Sequence, residues 1–170
     1  MSGVALALLF ERKTDASSVD AIQPSDRPDA EAALGFANVK AIDGQVVPLL
    51  TKGVPAIVMI SSEICEWCKQ TLDDLQTMAA GRPLPRLKLL TLEGAAEGVS
   101  MVKRAKLTGL QLIGPIDGPT TVSLTFRFQG TPTFFAVDQH GRVARVFTGY
   151  QTRDVLTRLY NVMIGDAEVP

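Results

Sequence analysis

The two cysteines of this 170-residue chain, Cys65 and Cys68, lie three positions apart. A disulfide across so short a span restrains little of the unfolded chain, so this spacing is a poor way to staple a fold. It favours redox chemistry or half of a metal site. Zinc takes four ligands, and the chain offers no other cysteine and a single histidine, His140. Thiol-disulfide chemistry without a bound metal or cofactor is therefore the leading interpretation, and an intermolecular metal site or two inert core cysteines are the alternatives.

The cysteine pair is expected where a buried strand gives way to a helix. Residues 54–61 (VPAIVMIS) are apolar and rich in branched side chains, as in a strand that is buried on both faces. A helix is expected to begin at Cys65 or Glu66. A thiolate at a helix N-terminus is stabilised by free backbone N–H groups and by the positive end of the helix dipole. We therefore predict that Cys65 is the nucleophile, and that Cys68, one turn later and more covered, is the resolving thiol.

Acidic residues adjoin this pair. Glu66 follows the first cysteine and Glu63 lies two positions before it. Both carboxylates raise the free energy of a thiolate at Cys65, whereas Lys69 and ionic screening oppose that effect. Strongly oxidising proteins stabilise their reduced thiolate, so these charges favour a reductase over an oxidant. Trp67 is expected to pack or to line the rim of the site.

The remaining patterns predict a mixed α/β layer fold, in the order strand, helix, strand, helix, hairpin, helix. Trp67, Leu72, Leu75 and Met78 form the apolar stripe of the first helix. Residues 110–119 are expected to form a loop, and 120–128 fit either a strand or a helix start. Strands are expected at 36–42, 46–50, 54–61, 86–92, 133–137 and 142–148, and further helices at 99–107 and 154–163, the last with Thr152 as N-cap.

The folded domain is assigned to residues 34–170, preceded by an apolar stub and a flexible arm over 1–33. Residues 4–10 (VALALLF) are too few for a membrane span of about 20 residues and lack the basic start of a signal peptide. They are the remnant of a trimmed anchor or a short element that packs on the domain. Residues 14–33 have the Asp, Ser and Pro content of a linker. The net charge of −1 argues against a nucleic-acid partner.

Two stretches of the sequence, VPAIVMISSEICEWCKQTLDDL and FRFQGTPTFFAVDQHGRVARVFTGY, resemble thioredoxin-like proteins. The resemblance covers 54–163 and is nearest to extracytoplasmic disulfide-interchange and sulfur-oxidation-associated proteins. It implies a thioredoxin fold, with a central mixed sheet flanked by helices and an insertion at about 94–121 between the two halves. It also implies that Pro132 follows a cis peptide bond beside the cysteines, and that the backbone of Thr131 pairs with substrate like an added strand.

The resemblance further implies an enzyme whose substrate is a protein disulfide or dithiol. A separate redox donor is then needed, for which a membrane disulfide reductase is one candidate. We expect a periplasmic or otherwise extracytoplasmic monomer, with a membrane tether at its N-terminus; a cytoplasmic location is the alternative. A disulfide isomerase or oxidant on the same site, and a redox-inactive interaction module, remain as alternative functions. Met59 replaces the buried Asp by which the family assists proton transfer from the second cysteine, and Glu63 or water is left for that role.

Overall fold

The computed structural model describes residues 37–118 and 128–169. The apolar stub and arm assigned to 1–33, and nearly all of 120–128, lie outside these ranges. No helix in the described ranges is long and apolar enough to cross a membrane. The strands are β1 Asn38–Ala41, β2 Val46–Pro48, β3 Ala56–Ser61, β4 Leu87–Thr91, β5 Gln111–Gly114, β6 Thr133–Val137 and β7 Val143–Thr148, and the helices are α1 Glu66–Ala79, α2 Ala95–Ala105 and α3 Arg153–Ile164.

The seven described strands form one mixed sheet, in the order β2-β1-β5-β4-β3-β6-β7. The interior strand β3 pairs parallel with β4 and antiparallel with β6, and all six of its residues are buried, as its apolar sequence predicts. Parallel pairing brings the carboxyl ends of β3 and β4 to the same edge of the sheet. The chain leaves that edge after Ser61 and enters α1 at Glu66, five residues later, so the edge positions the cysteine pair.

All three described helices pack on one face of the sheet. That face carries Met59 and Phe134 at its centre, and the apolar core against it includes side chains from α1, α2 and α3. The buried stripe of α1 consists of Cys68, Thr71, Leu72, Leu75 and Ala79. Trp67, which the sequence placed in the apolar stripe but also at the rim of the site, is 60% exposed and lies outside the buried stripe. The helical spacing of four, three and four residues begins at Cys68 and leaves Trp67 outside it.

The predicted loop over 110–119 was also wrong, because Gln111–Gly114 forms strand β5. This strand pairs parallel with β4 and antiparallel with β1, so it lies inside the sheet. The preceding helix α2 spans Ala95–Ala105, four residues earlier at its start than the predicted 99–107. Residues 95–114 are therefore built into the layers of the fold and are not a surface excursion. The sequence of so short a strand offers only three apolar or small residues as a signal. Its strand conformation depends on pairing with β4 and β1.

The hairpin of β6 and β7 and the closing helix α3 agree with the sequence pattern. Asp138 organises the hairpin turn, since its Oδ1 accepts the backbone N–H groups of His140 and Arg142 at 2.8 and 3.0 Å. The chain's one histidine therefore lies in a turn, away from the cysteines in sequence and in the fold. Thr152 occupies the N-cap position of α3, but its side chain makes no capping hydrogen bond.

Candidate active site

Cys65 is the N-cap residue of α1, with φ −81° and ψ 106°. Its Sγ accepts the backbone N–H of Cys68 at 3.1 Å, which is the contact that an N-cap side chain makes with the first turn. The two cysteines form a disulfide, with their Cα atoms 5.2 Å apart. Cys65 is half-buried and packs at the border of the core, whereas Cys68 is completely buried. One sulfur is thus presented at the surface and the other lies beneath it.

The segment that ends in Cys65 is a tight turn attached to the end of β4. The Cys65 N–H donates to the Ser62 carbonyl oxygen at 3.1 Å, which closes the turn. Glu93 holds the same turn from outside: its carboxylate accepts the Ser62 hydroxyl at one oxygen and the Glu63 backbone N–H at the other, the latter at 3.2 Å. Sequence reasoning missed Glu93. Its signal was its place two residues after β4, at the same sheet edge as the end of β3.

A second segment reaches Cys65 from the start of β6. The Thr131 carbonyl oxygen lies 3.4 Å from Cys65 Sγ, and the Thr131–Pro132 peptide bond is cis. Pro132 is buried, and its carbonyl oxygen accepts the Gly149 N–H at 2.7 Å. Gly149 has φ +82°, a conformation that favours glycine. Gly149, and with it the adjacent Tyr150, is thereby linked to the segment beside the disulfide.

Three large apolar side chains are exposed near the half-buried Cys65. Ile64 is 86% exposed, Trp67 60% and Tyr150 44%. The rings of Trp67 and Tyr150 lie 5.3 Å apart at an angle of 39°, within the range of a favourable aromatic pair. The Tyr150 hydroxyl donates to Asp74 Oδ2 on α1, which fixes the outer ring of the pair. Exposed apolar groups clustered around a reactive centre indicate a contact surface.

The acidic neighbours of the cysteines are not equivalent. Glu66 Oε1 lies 2.5 Å from Lys69 Nζ, and this hydrogen bond and the Lys69 charge lower the pKa of Glu66. Lys69 therefore opposes the effect of the Glu66 charge on Cys65. The Glu63 side chain is exposed, and its backbone is bound to a third carboxylate, that of Glu93. Of the three carboxylates near the cysteines, Glu66 is the one that pairs with a lysine in the described ranges.

The core behind the disulfide is apolar. Met59 is completely buried and belongs to the same apolar cluster as Cys68. Lys88 is the one buried charged residue in the described ranges. It pairs with Val58, whose side chain belongs to the core on the other face of the sheet, so Lys88 lies away from Cys68. Its ammonium group donates a hydrogen bond to Gln111. In those ranges, no group of three or more His, Cys, Asp or Glu residues could hold a metal ion. None of the buried residues in the described ranges is an Asp or Glu that could take up a proton from Cys68.

The Tyr150–Asp74 contact predicts a measurable titration shift. The hydrogen bond to Asp74, then desolvation and the Asp74 charge, raise the pKa of Tyr150. Each of these favours the neutral phenol over the phenolate. In Asp74→Asn, we expect tyrosinate absorbance near 295 nm to appear at lower pH than in the wild type. Tyr150→Phe, which leaves Tyr160 as the only tyrosine, identifies the component that moves. An unchanged titration would mean that the contact does not persist in solution.

Comparison with known proteins supports the fold directly. No family model and no curated protein sequence matches this chain. A thio-disulfide isomerase from Thermus thermophilus matches 76% of this chain and 92% of its own at 24% identity, with a TM-score of 0.55. DsbF from Mycobacterium tuberculosis matches 77% of this chain and 97% of its own at 21% identity, with a TM-score of 0.59. A secreted disulfide oxidoreductase from the same organism, homologous to E. coli DsbE, matches 76% of this chain and 97% of its own at 15% identity, with a TM-score of 0.59. The chain has a thioredoxin-like fold, as its sequence predicts.

Proposed function

We propose that this protein is a thiol-disulfide oxidoreductase that acts on protein disulfides or dithiols through Cys65 and Cys68. The observation that carries the proposal is the disulfide at the start of α1, with one sulfur at the surface and the other buried. An inert pair of core cysteines would have both sulfurs covered. The thioredoxin-like fold around this pair, and the carbonyl oxygen of Thr131 at 3.4 Å from Cys65 Sγ, support the same conclusion.

The first half of the reaction uses Cys65. In the reduced protein its thiolate is stabilised by the Cys68 N–H and by the other free N–H groups of the first helical turn. The thiolate attacks one sulfur of a substrate disulfide and forms a mixed disulfide with it. The second substrate sulfur leaves as a thiolate and takes up a proton.

The second half uses Cys68. Its thiol loses a proton to water or to the substrate thiolate released in the first half, because none of the buried residues that the structure describes is an Asp or Glu. The Cys68 thiolate then attacks Cys65 Sγ, across the short span that the disulfide already bridges, and the remaining substrate sulfur leaves. Two electrons pass from the protein dithiol to the substrate, which becomes two thiols. The same steps in reverse oxidise a substrate dithiol.

The surroundings of Cys65 fit an extended polypeptide. Ile64, Trp67 and Tyr150 offer apolar contact area on the side of α1. Thr131 supplies backbone beside the sulfur on the other side, as in peptide binding by addition of a strand. A small disulfide would use only the sulfur itself, whereas a protein substrate would use both sides.

We propose reduction of the substrate as the direction of the reaction. Glu63 and Glu93 add negative charge near the turn before Cys65, and anions there disfavour the thiolate. A less stable reduced thiolate makes the dithiol a stronger reductant. The ion pair with Lys69 reduces the effect of the Glu66 charge on the thiolate, and it involves neither Glu63 nor Glu93.

We further propose an extracytoplasmic, periplasmic location, with a membrane tether upstream of the folded domain. One structural neighbour is described as secreted. The protein would act as a monomer and be reduced again by a separate donor, for which a membrane disulfide reductase is a candidate. It would need no bound cofactor, because the two cysteines carry both electrons.

Two measurements on the wild-type protein test the proposal. We expect it to accelerate reduction of insulin by dithiothreitol, and its reduction potential to lie below about −200 mV, in the range of reducing thioredoxin-like proteins. A potential near −120 mV would keep the chemistry but reverse the direction to an oxidant. Failure to reduce or to oxidise any protein substrate would leave the redox-inactive interaction module.

A further inference from the structure

We propose that Glu93 is a positioning residue, which holds the turn before Cys65 so that the sulfur stays at the N-terminus of α1. The inference rests on the proposed function, since it assigns a role in preparing the nucleophile. Glu93 lies 28 positions after Cys65 in the chain, and no motif connects the two residues. The sheet brings them together, because β3 and β4 end side by side.

The first support is the use of both carboxylate oxygens of Glu93. Oε1 accepts the Ser62 hydroxyl, and Oε2 accepts the Glu63 N–H at 3.2 Å. Ser62 is buried, so its hydroxyl has little access to water as an alternative partner. Hydrogen bonds to an ionised acceptor are stronger than bonds between neutral groups. A carboxylate that receives two such bonds restrains the turn at two successive residues.

The second support is the path from this turn to the sulfur. The Ser62 carbonyl oxygen accepts the Cys65 N–H at 3.1 Å, so the residue that Glu93 holds is the one on which the backbone of Cys65 depends. The Cys65 side chain then caps α1 through the Cys68 N–H. A shift of the turn would move the sulfur away from the helix N-terminus, where a thiolate has its stabilising donors.

The third support is the way the chain aims Glu93 at the turn. The Leu92 N–H donates to the Ser61 carbonyl oxygen at 2.9 Å, and thus extends the β3–β4 pairing by one residue. Immediately after Glu93, Gly94 has φ +146° and donates its N–H to Thr91 at 3.1 Å. Glu93 is therefore held on both sides by backbone hydrogen bonds.

The experiment compares two neutral replacements. Glu93→Gln removes the charge but keeps both bonds, because its amide oxygen accepts the Glu63 N–H and its amide nitrogen donates to the Ser62 hydroxyl. Glu93→Ala removes the charge and both bonds. Any difference between the two variants therefore reports position and not charge. Glu97→Gln is the matched control, since Glu97 makes no hydrogen bond to the turn within the described ranges.

Two readouts are measured on reduced protein, below its unfolding temperature. The first is the pH profile of Cys65 alkylation by iodoacetamide, with the label located by mass spectrometry. The second is kcat/KM for insulin reduction. Relative to Glu93→Gln, we expect Glu93→Ala to have an about threefold smaller thiolate fraction at neutral pH, and an about tenfold lower kcat/KM. Glu97→Gln should match the wild type in both.

Equal values for Glu93→Ala and Glu93→Gln would overturn the inference. If Glu93→Ala does not fold, Ser62→Ala replaces it, because it removes one bond and keeps the charge; an about threefold loss in kcat/KM supports positioning and no loss overturns it. Alkylation requires no protein substrate. A wild type that alkylates normally but reduces no disulfide would therefore refute the proposed function, and the alkylation profiles of the variants would still decide the role of Glu93.

Discussion

Replacing Cys65 with serine is expected to lower disulfide exchange with insulin by about a thousandfold or more, the scale on which loss of an essential nucleophile is usually felt. Serine keeps the size of the side chain and its capping of α1, but its hydroxyl does not ionise near neutral pH, whereas the thiolate is the attacking species. The variant should fold like the reduced wild type. Insulin turbidity and the far-ultraviolet circular dichroism spectrum measure the two properties separately.

The matched replacement at Cys68 should behave differently. Cys68→Ser leaves the first attack intact and removes resolution, so one substrate molecule should remain bound to each protein through Cys65. Non-reducing electrophoresis and intact mass detect this mixed disulfide, and dithiothreitol releases it. A mixed disulfide that forms on Cys68 in the Cys65→Ser variant would assign the two roles in the opposite order. The burial of Cys68 argues against that outcome.

Local sequence patterns predicted several elements of the fold correctly. Strand β3 is buried on both faces and reads as a continuous apolar run, and β6 and β7 are joined by a turn that Asp138 organises. Helix α1 begins where the polar turn ends. For the hairpin turn and for the start of α1, the sequence signal and the stabilising interaction lie within about ten residues of each other. The composition of β3 predicts its burial, although its partners β4 and β6 are distant in the chain.

Other features depended on contacts between distant segments. Strand β5 exists because β4 and β1 lie on its two sides, and its own four residues do not specify a strand. Trp67 lies outside the buried stripe of α1, and its ring packs against that of Tyr150, which lies 83 positions later in the chain. Glu93 acts on a turn near Cys65 only because two parallel strands end together. Nothing in a single sequence marks such pairings, and so the part of the site that supports the cysteines had to come from the structure.

The second large effect is expected at Met59, directly in the core that contains Cys68. Met59→Asp should lower the free energy of unfolding at pH 7 by about 4 kcal/mol or more, since it removes a buried apolar side chain and places a carboxyl group in a core without a partner. Met59→Leu is the matched control. It nearly conserves volume and should cost less than about 1.5 kcal/mol. Urea denaturation of the three proteins gives the comparison.

The pH dependence of this loss tests whether the position is dry. Burial raises the folded-state pKa of a carboxyl group above its unfolded value of about 3.9, so the folded protein binds the extra proton more tightly. The penalty of Met59→Asp relative to Met59→Leu should therefore be smallest below pH 4 and grow as pH rises through the folded pKa. A penalty independent of pH would mean that the carboxyl reaches water. That result would contradict the apolar core that we infer behind Cys68.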